Sequence, residues 1–308
     1  MNIGTVLVAG EIFIDLLMTN LDAWPEPGKE IFATSFQREI GGGTAITASA
    51  LARLGCECDV LAAVGEDYGE WARNRLQQCN VRTDSIRTDK EDATGFTVIA
   101  SRPEDRAFIT YLGANRRFPE ILRNWLRSAV KAPKHVHFSV PLRFEEGRDS
   151  ICAITGRGAT VSLDVGWNQH WLSDERAWDV ARAANIFFPN ELEGMHMTGE
   201  IEPAKMLQVF ANRKFQHVVL KLGPKGAAML WEGHITFENP IRIQCGDTTG
   251  AGDCFDAGFL QAWLSGAEPI RCLRAANICG ALSTTAHGGI AGAPDLELLR
   301  AELRKLEA

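Results

Sequence analysis

Short, continuous apolar runs alternate with amphipathic stretches along most of the chain. The first run, Val6 to Ala9, has the pattern of a strand that is buried on both faces. Similar runs, separated by helical stretches, lie at residues 135–140, 160–164, 186–188 and 217–222. Strands that alternate with helices predict an α/β fold, in which helices cover both faces of a mainly parallel sheet.

The pattern of residues 44–79 predicts a helix, a strand and a second helix. The first helix starts near Thr44 and is ended by Gly55, which is a typical helix-end residue. The apolar residues at 59–64 predict the next strand, and residues 71–79 predict the next helix.

Two segments, 12–38 and 94–113, contain only strand-like patterns. In the second segment, residues 95–100 and 107–112 flank a polar turn at 102–106, which predicts a hairpin. We expect both segments to form one small sheet, a lid over the edge of the main sheet where α/β proteins bind ligands. The alternative is that they only extend the main sheet. The predicted division is therefore a core of residues 1–11, 39–93 and 114–308 and a discontinuous lid of 12–38 and 94–113.

Composition narrows the class of protein. A chain of 308 residues with 45% hydrophobic residues can bury a large core. The formal charge of −7 argues against nucleic acid or an anionic membrane as the main partner. None of the eight cysteines forms a C-x-x-C pair, which favours free thiols and a cytoplasmic protein. The apolar N-terminal run is interrupted by Glu11 and Asp15, so it is too short for a signal peptide or a membrane span.

The segment 246–258, Gly-Asp-Thr-Thr-Gly-Ala-Gly-Asp-Cys-Phe-Asp-Ala-Gly, carries the strongest chemical signal. It leads into an apolar helix, and a glycine-rich turn at a helix N-terminus offers free N–H groups to an anion such as phosphate. Asp253 would repel a phosphate unless it serves as the base that deprotonates an attacking hydroxyl. The alternative is an ordinary helix cap.

This segment resembles the C-terminal signature of the ribokinase-like (PfkB) carbohydrate kinases. Three further elements follow the order of that family: Gly41-Gly42-Gly43-Thr44-Ala45, Asn190-Glu191-Leu192-Glu193 and Lys221-Leu222-Gly223-Pro224-Lys225-Gly226. The resemblance covers essentially the whole chain. It implies a three-layer ribokinase-like core with a small β-sheet lid, and a kinase that uses ATP and Mg²⁺.

The resemblance also assigns roles to individual residues. It implies that Asp253 is the catalytic base and that the N–H groups of Gly250, Ala251, Gly252 and Asp253 form the anion hole. On the acceptor side it implies that Asp15, Gly41, Gly42 and Asn115 bind the substrate. A solvated acid at an edge strand is the alternative for Asp15.

The nucleotide and the metal would be held elsewhere. The resemblance implies that Lys221, Gly223, Gly226, Asn190 and Asn277 lie near the nucleotide, and that Asn190 and Glu193 organise Mg²⁺ through water. Helix capping by Asn190 with a solvated Glu193 is the alternative, as is a surface position for Lys221. In some relatives the positions of Asp247 and Thr249 bind a monovalent cation, and the resemblance leaves open whether this chain binds K⁺.

The chain departs from the family's pattern at one position that bears on the choice of substrate. Ile46 stands where the family usually has an asparagine that contacts the substrate, and an apolar side chain cannot replace an amide. Either the substrate lacks the usual hydroxyl at that place, or a neighbour such as Thr44 or Thr47 compensates. The departure therefore admits an acceptor with an apolar or heterocyclic part, such as a nucleoside.

Together these observations predict an ATP-dependent kinase that phosphorylates a hydroxyl, expected to be a primary alcohol, of a small sugar or nucleoside. We expect it to form a homodimer through the lid, as many family members do. The alternatives are a kinase for a hydroxymethyl heterocycle and a non-catalytic binding protein. A dehydrogenase is excluded because no G-x-G-x-x-G follows the first strand.

Overall fold

The computed structural model describes residues 4–102, 105–128 and 132–307, and a large sheet forms its centre. Within these ranges there are fourteen strands: β1 Thr5–Gly10, β2 Phe13–Leu21, β3 Ala33–Gly41, β4 Glu57–Leu61, β5 Ala63–Gly65, β6 Arg87–Asp89, β7 Gly95–Ser101, β8 Arg106–Tyr111, β9 His135–Ser139, β10 Thr160–Asp164, β11 Ile186–Phe187, β12 His217–Lys221, β13 Ala227–Trp231 and β14 His234–Glu238. The α-helices in the same ranges are α1 Gly43–Arg53, α2 Gly69–Gln78, α3 Phe118–Arg127, α4 Gly147–Thr155, α5 Gln169–Leu172, α6 Arg176–Ala183, α7 Glu191–Thr198, α8 Pro203–Asn212, α9 Ala251–Leu264, α10 Pro269–Ser283 and α11 Leu296–Glu307.

The large sheet has the strand order β14-β13-β12-β11-β10-β9-β1-β4. The six strands from β4 to β12 in this order pair in parallel, and β13 and β14 extend the sheet as an antiparallel ribbon. Successive side chains of a strand point to opposite faces. Val6 and Val8 accordingly pack in one hydrophobic cluster with α1, α9 and α10, whereas Leu7 and Ala9 pack in a second one with α4, α6 and α8. The predicted three-layer α/β fold is confirmed.

The two strand-only segments form one separate sheet of order β3-β2-β7-β8. Strand β2 pairs antiparallel with β3 and parallel with β7, so the sheet joins both parts of the chain. The alternative, an extension of the main sheet, is wrong. Positions 103 and 104 of the predicted turn lie outside the described residues, as do positions 1–3, 129–131 and 308 of the predicted core.

The strand predicted at 59–64 is wrong in its extent. The structure has two strands there, β4 and β5, which are separated at Ala62. Strand β4 stays in the large sheet, but β5 leaves it and pairs in parallel with β6 in a sheet of its own. The residues on both sides of Ala62 are apolar and buried, so periodicity alone gave no sign of the break. Within the described residues, no helix combines the length and apolar character needed to cross a bilayer.

Helix α9 packs closely on α10 because of Gly258. A Cβ atom at Gly258 would lie 2.7 Å from the carbonyl oxygen of Ala275 and 2.8 Å from Sγ of Cys279. The side chains next to Gly258, Ala257 and Phe259, are completely buried. The glycine therefore sets the distance between the two helices, and with it the position of α9.

Gly258→Ala should destabilise the protein by about 1–3 kcal/mol, because the added methyl group overpacks the contact between the two helices. Urea unfolding followed by circular dichroism measures this effect. Gln261→Ala is the control, since it changes the same helix at an exposed hydrogen bond to Ser265. Equal stability of Gly258→Ala and wild type would show that the helices can separate without loss.

Candidate active site

Several chain segments meet at one edge of the large sheet. Asp164 is the last residue of β10 and Lys221 is the last residue of β12, so the parallel strands bring them to the same edge. Helix α9 begins at that edge and places Asp253 in its first turn. Strand β2 of the small sheet adds Asp15. The structure thus groups charged side chains that are widely separated in sequence.

The N-terminus of α9 is shaped for an anion. Gly250 caps the helix with a φ of 73°, and a Cβ atom there would lie 2.8 Å from Cα of Gly289. Both its conformation and its surroundings therefore require glycine. The N–H of Ala251 donates to the carbonyl of Thr248 at 3.2 Å. The N–H groups of Gly252 and Asp253 follow in the first turn, where a helix provides no acceptors of its own.

Gly41, Gly42 and Gly43 form a junction between the small sheet and α1. A Cβ atom at Gly41 would lie 2.0 Å from Oδ2 of Asp15, and one at Gly43 would lie 2.8 Å from Oδ1 of Asp253. Gly42 has a φ of 85°, and its missing Cβ leaves room for the carbonyl of Glu11. The three glycines therefore let the two carboxyl groups approach the backbone from either side.

The environment of Asp253 favours its protonated form more than water does. Burial is the largest cause, the charge of Asp164 adds to it and that of Lys221 opposes it, and together they raise its pKa to about 7. Asp15 contributes further in the same direction. A carboxyl group with a pKa near neutrality can accept a proton from a hydroxyl more readily than an ordinary aspartate can.

Lys221 is buried among carboxylates, so the surface alternative for it is wrong. Its Nζ donates to Oδ2 of Asp164 at 2.6 Å and to both carboxylate oxygens of Asp256 at 3.3 Å. Burial opposes the charge on Lys221, but the charges of Asp164, Asp256 and Glu193 raise its pKa. A Cβ atom at Gly252 would lie 3.5 Å from this ammonium group, so Lys221 lies directly beside the first turn of α9.

Asp164 and Asp256 were not recognised in the sequence. Asp164 had a signal that could have revealed it, because it is a charged residue at the carboxyl end of an apolar strand, as Lys221 is. Asp256 had none, since it lies inside the apolar stretch of α9, where it is completely buried. Burial, together with the charge of Asp164, raises its pKa well above the ordinary value.

Asn190 and Glu193 form a capping box at the start of α7. The side chain of Asn190 accepts the N–H of Glu193 at 2.9 Å, and the Glu193 carboxylate accepts the N–H of Asn190 at 2.9 Å and its Nδ2 at 2.6 Å. Asn190 therefore caps the helix, as the alternative expects. The expectation that Glu193 is solvated is wrong, because that residue is only 1% exposed. Burial, with a further contribution from the charge of Asp164, raises the pKa of Glu193 to about 7.

Among the described residues, the site offers Mg²⁺ few direct ligands, so a bound Mg²⁺ would be held mainly by water and phosphate. Within the described ranges, no three His, Cys, Asp or Glu side chains are grouped to coordinate a metal directly. Mg²⁺ keeps several waters and often binds through substrate phosphates with one or two carboxylates, so it needs no such cage. Glu193, whose charge acts on Lys221 beside the first turn of α9, can supply one such carboxylate.

Asn115 and Asp15 are joined through the segment after β1. Oδ1 of Asn115 accepts the N–H of Ile12 at 3.0 Å, and its Nδ2 donates to the carbonyl of Ile12 at 2.8 Å. Asn115 thus holds the backbone three residues before Asp15, and a direct contact with substrate stays a prediction. Asp15 itself is buried, so the solvated alternative is wrong. Burial, with the charge of Glu39, raises its pKa to about 7.

Gly223, Gly226 and Asn277 lie around one turn. The two glycines flank the short 3-10 helix Gly223–Lys225, and a Cβ atom at Gly226 would lie 2.2 Å from the carbonyl oxygen of Glu238. Nδ2 of Asn277, on α10, donates to the carbonyl of Asn239 at 3.1 Å. These residues therefore connect the strand ribbon to α10, and their contact with a nucleotide stays a prediction.

Asp247 and Thr249 face an arginine from the small sheet. Nη1 of Arg106 donates to Oδ1 of Asp247 at 2.6 Å and to Oγ1 of Thr249 at 2.8 Å. Arg106 was not recognised in the sequence, because 141 positions separate it from Asp247. Its guanidinium group already pairs with Oδ1 of Asp247, and its positive charge would repel a cation at the same carboxylate, so these residues do not fit a bound K⁺.

Ile46 lies beneath the turn that caps α9. It is buried, and a Cβ atom at Gly289 would lie 2.5 Å from its Cδ1. Thr44 and Thr47 are completely buried, so neither presents its hydroxyl to the cleft. Ile46 therefore supports the capping turn, and its apolar side chain is not itself evidence for a heterocyclic acceptor.

Comparisons with known proteins agree with this arrangement. The model of the "pfkB family carbohydrate kinase" matches residues 4–296. A curated relative from Halopiger xanaduensis, named ATP-dependent ribose-1-phosphate kinase, is 30% identical and the match covers 97% of each chain. A ribokinase from Haemophilus influenzae is 26% identical over 94% of this chain and 95% of its own. The solved structure of Arabidopsis thaliana ribokinase complexed with ribose and ATP superposes with a TM-score of 0.84 at 26% identity, covering 98% of this chain and 99% of that one.

Asp253→Asn should make the protein more stable at pH 8. The folded-state pKa of Asp253 is raised to about 7, so folding favours the protonated carboxyl. The contribution of this group to the stability of the fold is complete below the unfolded pKa and is lost as the pH rises through about 7. The amide carries no charge, and we expect the thermal midpoint at pH 8 to rise by about 2 °C or more.

The gain should disappear near pH 4, where wild type is also protonated. Differential scanning calorimetry at both pH values measures the change, and Asp84→Asn, at an exposed aspartate, is the control. A variant that is less stable than wild type at both pH values would show that the ionised carboxylate is well accommodated.

Proposed function

Because the chain belongs to the pfkB family of carbohydrate kinases, we propose that it transfers the γ-phosphoryl group of ATP directly to a hydroxyl of a small sugar or nucleoside. Asp253 is the base in this proposal. The observation that supports it best is the position of the Asp253 carboxyl group: it lies in the first turn of α9, against Gly43 and near Asp15.

Each step of the transfer has a residue suited to it. Asp15 orients the acceptor by accepting hydrogen bonds from its hydroxyl groups, and Asp253 takes the proton of the attacking hydroxyl. The N–H groups of Gly252 and Asp253, at the positive end of the α9 dipole, stabilise the charge on the transferring group. Lys221 lies beside this turn and adds a positive charge.

Bound Mg²⁺ would screen the charges of the triphosphate. In this proposal Glu193 and Asn190 orient it through water, and their mutual hydrogen bonds keep both side chains in place. Lys221 is also needed for a second reason: without its ammonium group, Asp164, Asp256 and Glu193 would be left as a buried group of carboxyls with no positive charge among them.

The cavity between the small sheet and the loop before α9 favours a hydroxylated acceptor. This cavity of about 680 Å³ lies between the small sheet and residues 245–249. Leu17 and Thr19, on the same face of β2 as Asp15, contribute to its lining, with Gln37, Ser35 and Ser101 from neighbouring strands. This largely polar lining suits a sugar or the sugar part of a nucleoside.

The direct test is ADP release from MgATP in the presence of candidate acceptors. The panel comprises ribose, ribose 1-phosphate, fructose, 2-keto-3-deoxygluconate, adenosine, cytidine and pseudouridine. We expect one class to be phosphorylated, with a rate that falls below pH about 7 as Asp253 becomes protonated. Asp253→Asn should lower that rate about a hundred- to ten-thousand-fold.

Two outcomes would contradict this proposal. If Asp253→Asn phosphorylates the acceptor at the wild-type rate, Asp253 is not the base. If no acceptor is phosphorylated although ATP raises the thermal midpoint, the protein either acts on a hydroxymethyl heterocycle, which the same assay tests next, or only binds its ligands. Asp84→Asn is again the matched control.

We also propose that the protein forms a homodimer through the small sheet. Phe36, Ile109 and Tyr111 lie on the face of this sheet opposite to Asp15, and their side chains are 62%, 68% and 44% exposed. Exposed apolar groups of this size on one face are typical of protein interfaces.

Ile109→Asp should therefore shift the protein from dimer to monomer, because a carboxylate in an apolar interface loses its hydration. Size-exclusion chromatography with light scattering measures the mass. Ile201→Asp is the control, because Ile201 is exposed but lies outside the small sheet. A monomeric wild type at the same concentration would contradict the proposal.

A further inference from the structure

The side chain of Arg106 connects the small sheet to the loop that precedes α9. Arg106 is the first residue of the edge strand β8. Its Nη1 donates to Asp247 and Thr249, and its Nη2 donates to Oγ1 of Thr248. One guanidinium group thus holds three consecutive residues of the core.

Those three residues control the start of α9. Thr249 directly precedes the capping Gly250, and the carbonyl of Thr248 accepts the N–H of Ala251. Any movement of β8 that keeps the contacts of Arg106 must therefore move the turn that forms the anion hole. A cavity of the chain lies between the same sheet and the same loop, so the position of the sheet and the position of the turn are linked.

Both carboxylate oxygens of Asp247 accept hydrogen bonds in this arrangement. Its Oδ1 accepts the N–H and the hydroxyl of Thr249 at 2.9 and 2.7 Å in addition to Arg106, and its Oδ2 accepts the N–H of Gly288 at 2.9 Å. Burial opposes its charge, but these hydrogen bonds and the charge of Arg106 lower its pKa. Nδ1 of His287 lies 4.0 Å from Oδ2, on a side chain that is 77% exposed.

A monovalent cation at Asp247 would compete with Arg106. It would need the carboxylate and neighbouring oxygens of the loop, and Arg106 already donates to Oδ1 of Asp247 and Oγ1 of Thr249. Two positive charges at one carboxylate oxygen repel each other, and an arginine supplied by the chain needs no ion from solution.

We propose that Arg106 is a positioning residue for phosphoryl transfer, which links the position of the small sheet to the geometry of the α9 N-terminus and takes the place of a monovalent cation at Asp247. This inference rests on the kinase activity proposed above. The residue does not touch the reacting atoms, so its effect acts through the loop 247–249.

The kinetic test compares Arg106→Ala with wild type in choline chloride and in potassium chloride of equal ionic strength. The rate of wild type should differ by less than about twofold between the two salts, because screening is the same at equal ionic strength. Arg106→Ala should lose about tenfold or more in choline chloride through misplacement of the turn. Potassium should raise the rate of Arg106→Ala by about threefold or more, because it returns a positive charge to Asp247.

Two variants complete the series. Arg106→Lys keeps the charge but loses the forked donors, so its rate in choline chloride should lie between wild type and Arg106→Ala. Arg182→Ala, which removes an exposed ion pair with Asp179 on α6, is the control for loss of a surface arginine. Strong potassium activation of wild type, or a wild-type rate for Arg106→Ala in choline chloride, would overturn the inference.

A second measurement does not depend on activity. Crystals soaked in thallium(I) should show an anomalous peak at Asp247 in Arg106→Ala and none there in wild type. A peak in wild type, or its absence from both proteins, would overturn the exchange of cation for arginine. If wild type phosphorylates no acceptor, the proposed function fails, whereas the diffraction experiment still decides what Asp247 binds.

Discussion

The burial of the Lys221 ammonium group among carboxylates is the interaction on which the site depends. Asp164 and Asp256 accept its hydrogen bonds, and the charge of Glu193 also acts on it. Buried charges are costly unless they are paired, so removal of the lysine would leave a group of carboxyls that must take up protons or admit water. The same positive charge partly offsets the effect of burial on Asp253. A single side chain at the end of β12 therefore keeps several acids together beside the N-terminus of α9.

The second constraint is steric, and it explains why glycines surround the chemistry. At Gly41 and Gly43 the space of a side chain is taken by the carboxyl groups of Asp15 and Asp253, respectively. At Gly250 the backbone conformation itself excludes most other residues. These glycines let backbone and carboxyl groups approach more closely than any side chain would allow, which is what a transfer between two bound substrates requires.

Much of the site was predictable because its residues lie at recognisable places in local patterns. The glycine-rich turn before Asp253 predicts a helix N-terminus, and Lys221 lies at the end of an apolar strand. The pattern could not assign partners, however. It left open whether Glu193 is solvated and whether Lys221 lies at the surface, because burial depends on elements far away in the chain. Asp256 and Arg106 escaped prediction for the same reason: their roles are set by contacts with residues 35 and 141 positions away, respectively.

The sequence by itself determined the alternation of strands and helices, the two strand-only segments and the glycine-rich turn at the start of α9. These follow from the periodicity of apolar residues and from backbone preferences, which act over a few neighbouring positions. The tertiary structure alone decided that β4 and β5 are separate, that Asn115 holds the backbone of Ile12, and that Arg106 bonds to Asp247. Those outcomes depend on packing between distant segments and on the burial of charge, and neither is encoded in a local pattern.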